Sequence, residues 1–108
     1  MKILFDHGTP APLRQQLAGH EVSTAYEKGW ASLQNGELLI AAEKEFAGFI
    51  TTDKNLRYQQ NLAGRRLAVL VLPTTSWPKL QRHIDKIALA VDGLKPGDYV
   101  ELSFGNVP

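Results

Sequence analysis

Three carboxylates stand where the sequence pattern changes. Asp6 ends the apolar run Ile3-Leu4-Phe5, Glu37 opens a helical pattern behind Asn35-Gly36, and Asp53 ends the run Phe49-Ile50-Thr51-Thr52. In open α/β sheets, ligands bind outside the carboxyl ends of the strands. A fold that gathers these element ends on one rim would therefore bring the three acids together. Converging carboxylates repel one another unless a cation neutralises them, and hard oxygen donors suit Mg²⁺ or Mn²⁺. The spacing predicts a metal-dependent phosphoryl-transfer site. Each acid taken alone has a plain structural alternative. Asp6 could cap the first helix, Asp53 could start a polar turn, and Glu37 could answer the dipole at a helix start. The conjunction is what points to chemistry.

Positive charge follows directly. Between residues 54 and 66 the chain carries Lys54, Arg57, Arg65 and Arg66 with no acid among them. Next to Asp53 such a stretch is placed to hold a nucleic-acid backbone, although a basic run is also what a solvated loop looks like. Tyr58, beside Arg57, could stack on a base. Gln59-Gln60-Asn61 could hydrogen-bond RNA or a partner, or be a solvated loop. His7, beside Asp6, reads as a turn histidine ahead of a general base, and His83 as a boundary residue. Trp30 and Trp77 read as packing anchors.

The elements that must position these groups follow from periodicity. Ile3–Phe5 is a short continuous apolar run, as expected of a parallel strand buried on both faces. A first helix is expected from a Thr9 cap through Leu13 and Leu17 to Gly19. His20–Ala25 is a second strand. Residues 36–46 form a helix with Leu38, Leu39, Ala42 and Phe46 on one stripe. Phe49–Thr52 is strand three, residues 54–64 hold at most one irregular helical turn, and Leu67–Leu72 is the strongest strand, expected centrally. Ser76 caps a helix in which Trp77, Leu80, Ile84, Ile87, Ala88 and Val91 recur, and Asp92-Gly93 stops it. Tyr99–Phe104 alternates, as an edge strand does. This order predicts a three-layer α/β/α sandwich around a mostly parallel five-stranded sheet of order 2-1-3-4-5, whose switch point lies between strands one and three.

Bulk properties narrow the classes. At 108 residues, 44% hydrophobic and 21% charged, the chain is expected to form one domain over residues 1–108. The absence of cysteine excludes a disulfide framework and a thiolate zinc site and fits a cytoplasmic location. Neither a signal peptide nor a membrane-spanning stretch is expected. A net charge of +1 means that any nucleic-acid contact must come from a local patch.

Several segments resemble a known family. Lys2-Ile3-Leu4-Phe5-Asp6 resembles the opening of a PIN domain, and Ile50-Thr51-Thr52-Asp53-Lys54-Asn55-Leu56 resembles the strand end of that family. Gly29-Trp30, Asn35-Gly36-Glu37-Leu38-Leu39, Asp53-Lys54-Asn55-Leu56 and Gln59-Gln60-Asn61-Leu62 are similar to a short bacterial PIN-like family. The resemblance covers nearly the whole chain. It implies a PIN-like fold and a Mg²⁺- or Mn²⁺-dependent ribonuclease, VapC-toxin-like, of the kind found in toxin–antitoxin pairs. Asp6, Glu37 and Asp53 would be the metal ligands and catalytic acids, with Thr51, Thr52 and Asn55 supporting. RNA, a cognate antitoxin and a second copy of the chain are the partners such a domain admits. There is one departure. Longer PIN domains carry a further acid between the first two of these positions, for which Glu21 and Glu27 are only loose substitutes. A catalytically degenerate PIN-like scaffold that binds protein or RNA is the alternative. A phosphoacceptor receiver domain, also five-stranded, is rejected because His7 stands where its second acid would follow Asp6.

Overall fold

Short apolar runs supply the strands. The computed structural model describes residues 1–59, 62 and 64–105, without the side chains of 35, 58 and 59. In it β1 (Lys2–Phe5), β2 (Glu21–Thr24), β3 (Gly48–Thr51), β4 (Ala68–Val71) and β5 (Tyr99–Glu101) form one sheet. The strand order is β2-β1-β3-β4-β5 and every pairing is parallel. β3 and β4 are buried at every position, as parallel strands covered on both faces must be. β4, from the strongest apolar run, is interior, and the alternating β5 lies at an edge.

Helices cover both faces, giving the expected α/β/α sandwich. After β1 comes a short 3-10 helix, Ala11–Gln16. α1 (Asn35–Glu45) follows β2, α2 (Leu56–Gln59) follows β3, and α3 (Trp77–Gln81) and α4 (Ile84–Asp92) follow β4. Ile3, Phe5, Ile50, Leu70 and Leu72 meet Leu13, Leu80, Ile87 and Val91 on one face. Leu4, Phe49, Val69 and Val71 meet Leu38, Leu39, Ala42 and Leu56 on the other. Alternate residues of each strand serve opposite cores, which is the period-2 geometry of a pleated strand. Among the described residues no helix is long and apolar enough to cross a membrane.

Two helices differ from the sequence reading. The first is a 3-10 turn that Thr9 does not cap, because the Thr9 hydroxyl is drawn to Asp6 and the Ile50 carbonyl. The helix expected over 76–91 starts at the Ser76 cap, whose hydroxyl accepts the Lys79 N–H at 3.4 Å, but it breaks at Arg82-His83. His83 leaves helical geometry (φ −127°, ψ 30°) and its ring stacks on Phe104 at 4.0 Å between centroids. Its carbonyl then accepts the Ile87 N–H and starts α4.

Candidate functional site

Asp6 leaves β1 at the carboxyl end of the sheet and is 8% exposed. Its neighbours explain how a carboxylate is tolerated there. Oδ1 accepts the N–H of Gly8 at 3.2 Å, the N–H of Thr9 at 3.0 Å and the Thr9 hydroxyl at 2.6 Å. Oδ2 accepts the Thr51 hydroxyl from the end of β3. The Asp6-His7-Gly8-Thr9 segment thus folds back on its own acid, as Asp in a turn does. Among the described residues no Lys, Arg or His side chain pairs with Asp6; its donors are uncharged. A carboxylate offers about four lone-pair sites. Oδ1 is filled, while among the described residues Oδ2 accepts from the Thr51 hydroxyl alone.

Thr51 joins the two strands. Its hydroxyl, which donates to Asp6, accepts the Asp53 N–H at 3.0 Å. Asp53 Oδ1 in turn accepts the Asn55 N–H at 3.0 Å, and the Asp53 carbonyl accepts the Leu56 N–H at 3.3 Å, so the residue also launches α2. Thr52 sits behind Gly8 so closely that a Cβ on Gly8 would lie 2.6 Å from the Thr52 hydroxyl. Asp6, Thr51, Thr52 and Asp53 are therefore one connected group across β1 and β3, the switch point of this strand order. Asn55 takes part only through its backbone N–H.

Glu37 opens α1, as the sequence pattern indicated, and α1 begins on the same side of the sheet, since His7 Nε2 donates to the Leu33 carbonyl at 3.2 Å. Its carboxylate is turned to local use: Oε1 accepts the Gln34 N–H at 3.1 Å, closing the N-terminus of its own helix. The N-cap is Gln34 rather than Asn35-Gly36. Among the described residues, no group of three or more His, Cys, Asp or Glu comes together in a way that could hold a metal ion.

Comparison with known proteins places the chain in no family. No family model, no curated protein and no solved structure matches it.

The basic stretch divides between the two ends of the sheet. Lys54 is exposed at the carboxyl-end rim and lines a shallow 290 Å³ recess with Pro73, Glu101 and Ser103. Arg57 pairs with Glu101 at 2.9 Å. Arg65 and Arg66 correct the expectation that the whole run adjoins Asp53. They precede β4 and stand at the amino end, where Arg65 pairs with Glu43 at 3.0 Å, the Arg66 N–H donates to the same carboxylate, and the Arg66 carbonyl accepts from Gly97. The cause is topological: in a parallel sheet the chain after β3 must return to the amino end before β4 can start. The side chains of Tyr58 and Gln59 and the residues Gln60 and Asn61 lie outside the described ones.

Beside Asp6 opens a cleft of about 880 Å³, walled by the 3-10 turn, the loop after β2 and the start of α3. Sequence reasoning missed three residues here. Thr9 clamps Asp6, and the Asp-x-x-Thr spacing carried that signal. Gly8 is needed for the close approach to Thr52. Tyr26, on the cleft wall, is 81% exposed. Glu27 holds the loop beneath Tyr26, and the Arg14 hydrogen bond, then the Thr24 N–H, lower its pKa below the ordinary carboxylate value.

Proposed function

We propose that the chain is a Mg²⁺- or Mn²⁺-dependent ribonuclease of PIN-like type, acting at the crevice between the carboxyl ends of β1 and β3. One observation carries the reading. Asp6 and Asp53 leave neighbouring strands at the switch point, and the Thr51 hydroxyl that donates to the Asp6 carboxylate accepts the backbone N–H of Asp53. The donor set fits the ion: carboxylate oxygens are hard ligands, and Mg²⁺ is commonly held by one or two carboxylates together with substrate phosphates. Asp6, through Oδ2, and Asp53 would hold it. When bound, the ion would supply Lewis-acid stabilisation of phosphoryl charge and an acidified water. Glu37 stays on its helix in this reading.

The protein's own residues orient and recruit. Four uncharged donors fix the Asp6 carboxylate before substrate arrives, so little reorganisation is left for the binding step. Lys54, at the rim, attracts the RNA backbone. RNA is the partner this reading requires; it requires neither an antitoxin nor a second copy of the chain. Purified protein is expected to cut single-stranded RNA with Mg²⁺ or Mn²⁺, with EDTA, Asp6→Asn and Asp53→Asn each abolishing the cut.

A second reading, an RNA- or protein-binding scaffold without catalysis, is favoured by one specific feature, the closure of Glu37 onto its own helix start. Calorimetric titration of Mg²⁺ and Mn²⁺ into wild type and Asp53→Asn separates the two. Binding lost in the variant supports the ribonuclease. No heat at millimolar ion in wild type removes it in favour of the scaffold.

A further inference from the structure

Two aromatic rings in the loop after β2 have opposite fates. Trp30 packs edge-on against Phe46 at 6.2 Å between centroids, with the Lys28 ammonium over both rings. Tyr26, four residues earlier, packs on nothing comparable and is 81% exposed. Single exposed apolar groups are normal on a protein surface, so exposure by itself argues nothing. The backbone beneath Tyr26 changes the argument, because it is held from several sides. The Thr24 N–H donates to Glu27 Oε1 at 2.9 Å and the Glu27 N–H donates to the Thr24 hydroxyl at 3.1 Å. The Gly29 N–H donates to the Tyr26 carbonyl at 3.0 Å, and Arg14 pairs with Glu27 at 2.9 Å. A large ring is thus presented to water from a fixed turn, on the wall of the cleft that holds Asp6.

The rest of the cleft fits a nucleotide. Trp77 and Thr75 stand at its α3 side, with His7 and Asp6 also on its lining. Its 880 Å³ lies within the range of small-molecule sites. Its lining sets the rings of Tyr26 and Trp77 beside polar groups, among them Arg14 with its partner Glu27, so a planar base finds aromatic surface there. β2 and β1 are adjacent in the sheet, so the loop carrying Tyr26 and the residue Asp6 lie about one strand spacing apart, roughly 5 Å at the backbone. A base seated on Tyr26 would leave its phosphate near Asp6.

We infer that Tyr26 is a base-stacking platform, so that a single-stranded RNA is positioned for the rim by one nucleobase lying on this ring. The inference rests on the ribonuclease reading in that the stacked base belongs to the RNA presented to Asp6 and Asp53. Stacking on an aromatic face tolerates every base, because each base has a π-face. The site therefore favours unpaired strands over duplexes, whose bases are already stacked, and it is indifferent to sequence.

The test uses a short single-stranded oligoribonucleotide containing 2-aminopurine, with affinity read by anisotropy and stacking by quenching. Measurements are made in EDTA and in Ca²⁺, and cleavage is scored separately in Mg²⁺ and in Mn²⁺. Wild type is expected to bind and quench. Tyr26→Ala should bind about tenfold more weakly and lose the quench, while Tyr26→Phe, which keeps the ring, should match wild type. The ring is mostly outside the core, so the alanine variant should fold, and circular dichroism checks that it does. Unchanged affinity and quenching in Tyr26→Ala would overturn the inference and leave the ribonuclease reading standing. Tyr26-dependent binding without any cleavage in either Mg²⁺ or Mn²⁺ would uphold the platform and remove the ribonuclease. Wild type that binds no RNA in either buffer overturns both.

Discussion

The molecule meets its acids in two ways. At the amino end Glu43 is met by Arg65, and at the carboxyl end Glu27 is met by Arg14 and Glu101 by Arg57. At the carboxyl end Asp6 and Glu37 are met by backbone N–H groups and hydroxyls. An ion pair is complete and has no reason to accept another cation. A carboxylate held by neutral dipoles is oriented, yet its charge remains to be balanced. The Glu43–Arg65 pair at the amino end therefore has the chemistry of a joint, and the Asp6 turn at the carboxyl end that of a place where something binds.

Substitutions can break this contrast. The largest effect is expected for Asp6→Ala. It removes the side-chain acceptor of the Gly8 and Thr9 N–H groups and of the buried Thr51 hydroxyl, while the Thr9 hydroxyl keeps the Ile50 carbonyl. Unsatisfied buried donors cost about 1–3 kcal/mol each. Part will be recovered by water, so a loss of about 3 kcal/mol in urea unfolding is expected, together with loss of cleavage. Next comes Gly8→Ala. Its Cβ would lie 2.6 Å from the Thr52 hydroxyl, so Thr52 must move. Overpacking of this sort costs about 1–3 kcal/mol. Cleavage should fall by more than the stability loss explains if Thr52 helps shape the rim.

Arg65→Ala should do much less. The pair with Glu43 is partly exposed, and such pairs contribute about 0–1 kcal/mol. Its unfolding midpoint should stay close to that of wild type, and its RNA affinity at physiological salt should be unchanged. A large loss of affinity would erase the distinction between the two ends. The smallest effect concerns pH. Glu27 has a pKa lowered in the folded state, chiefly by the Arg14 hydrogen bond. Its support for the loop is therefore present above the ordinary carboxylate pKa and fades as pH falls through the lowered one. Intrinsic amide exchange slows as pH falls, so the observable is the rate relative to an unprotected amide. This relative rate of hydrogen exchange at Thr24 and Glu27 should rise on acidification in wild type. In Glu27→Gln it should be faster throughout and lack that dependence.

Much of the architecture was legible because it follows from period and length. Short apolar runs separated by helical stripes leave few arrangements for a parallel sheet, and the observed strand order is the expected one. The helix boundaries were less legible. The repeat from Trp77 to Val91 looks continuous by spacing, yet the stacking partner of His83, Phe104, is twenty-one residues away and no local pattern contains it. At the site, Asp6 and Asp53 could be placed from where strands end. Whether Glu37 faces the rim or its own backbone depends on one rotamer, which spacing does not encode. Arg65 and Arg66 were assigned to the rim by adjacency in sequence, but the crossover to β4 outweighs adjacency. Tyr26 gave no signal, since exposure on a fixed turn is a property of tertiary structure alone.

The strands are short, and this sets the reach of the amino-end cations. A strand of four residues rises about 13 Å. That exceeds the Debye length of about 8 Å at physiological ionic strength but is well inside the roughly 30 Å that applies in dilute buffer. Arg65 and Arg66 are thus screened from the carboxyl-end rim at physiological ionic strength and felt by it at low salt. Affinity for a polyanion measured in dilute buffer will register the whole molecule, and the same measurement at physiological salt will register the rim alone.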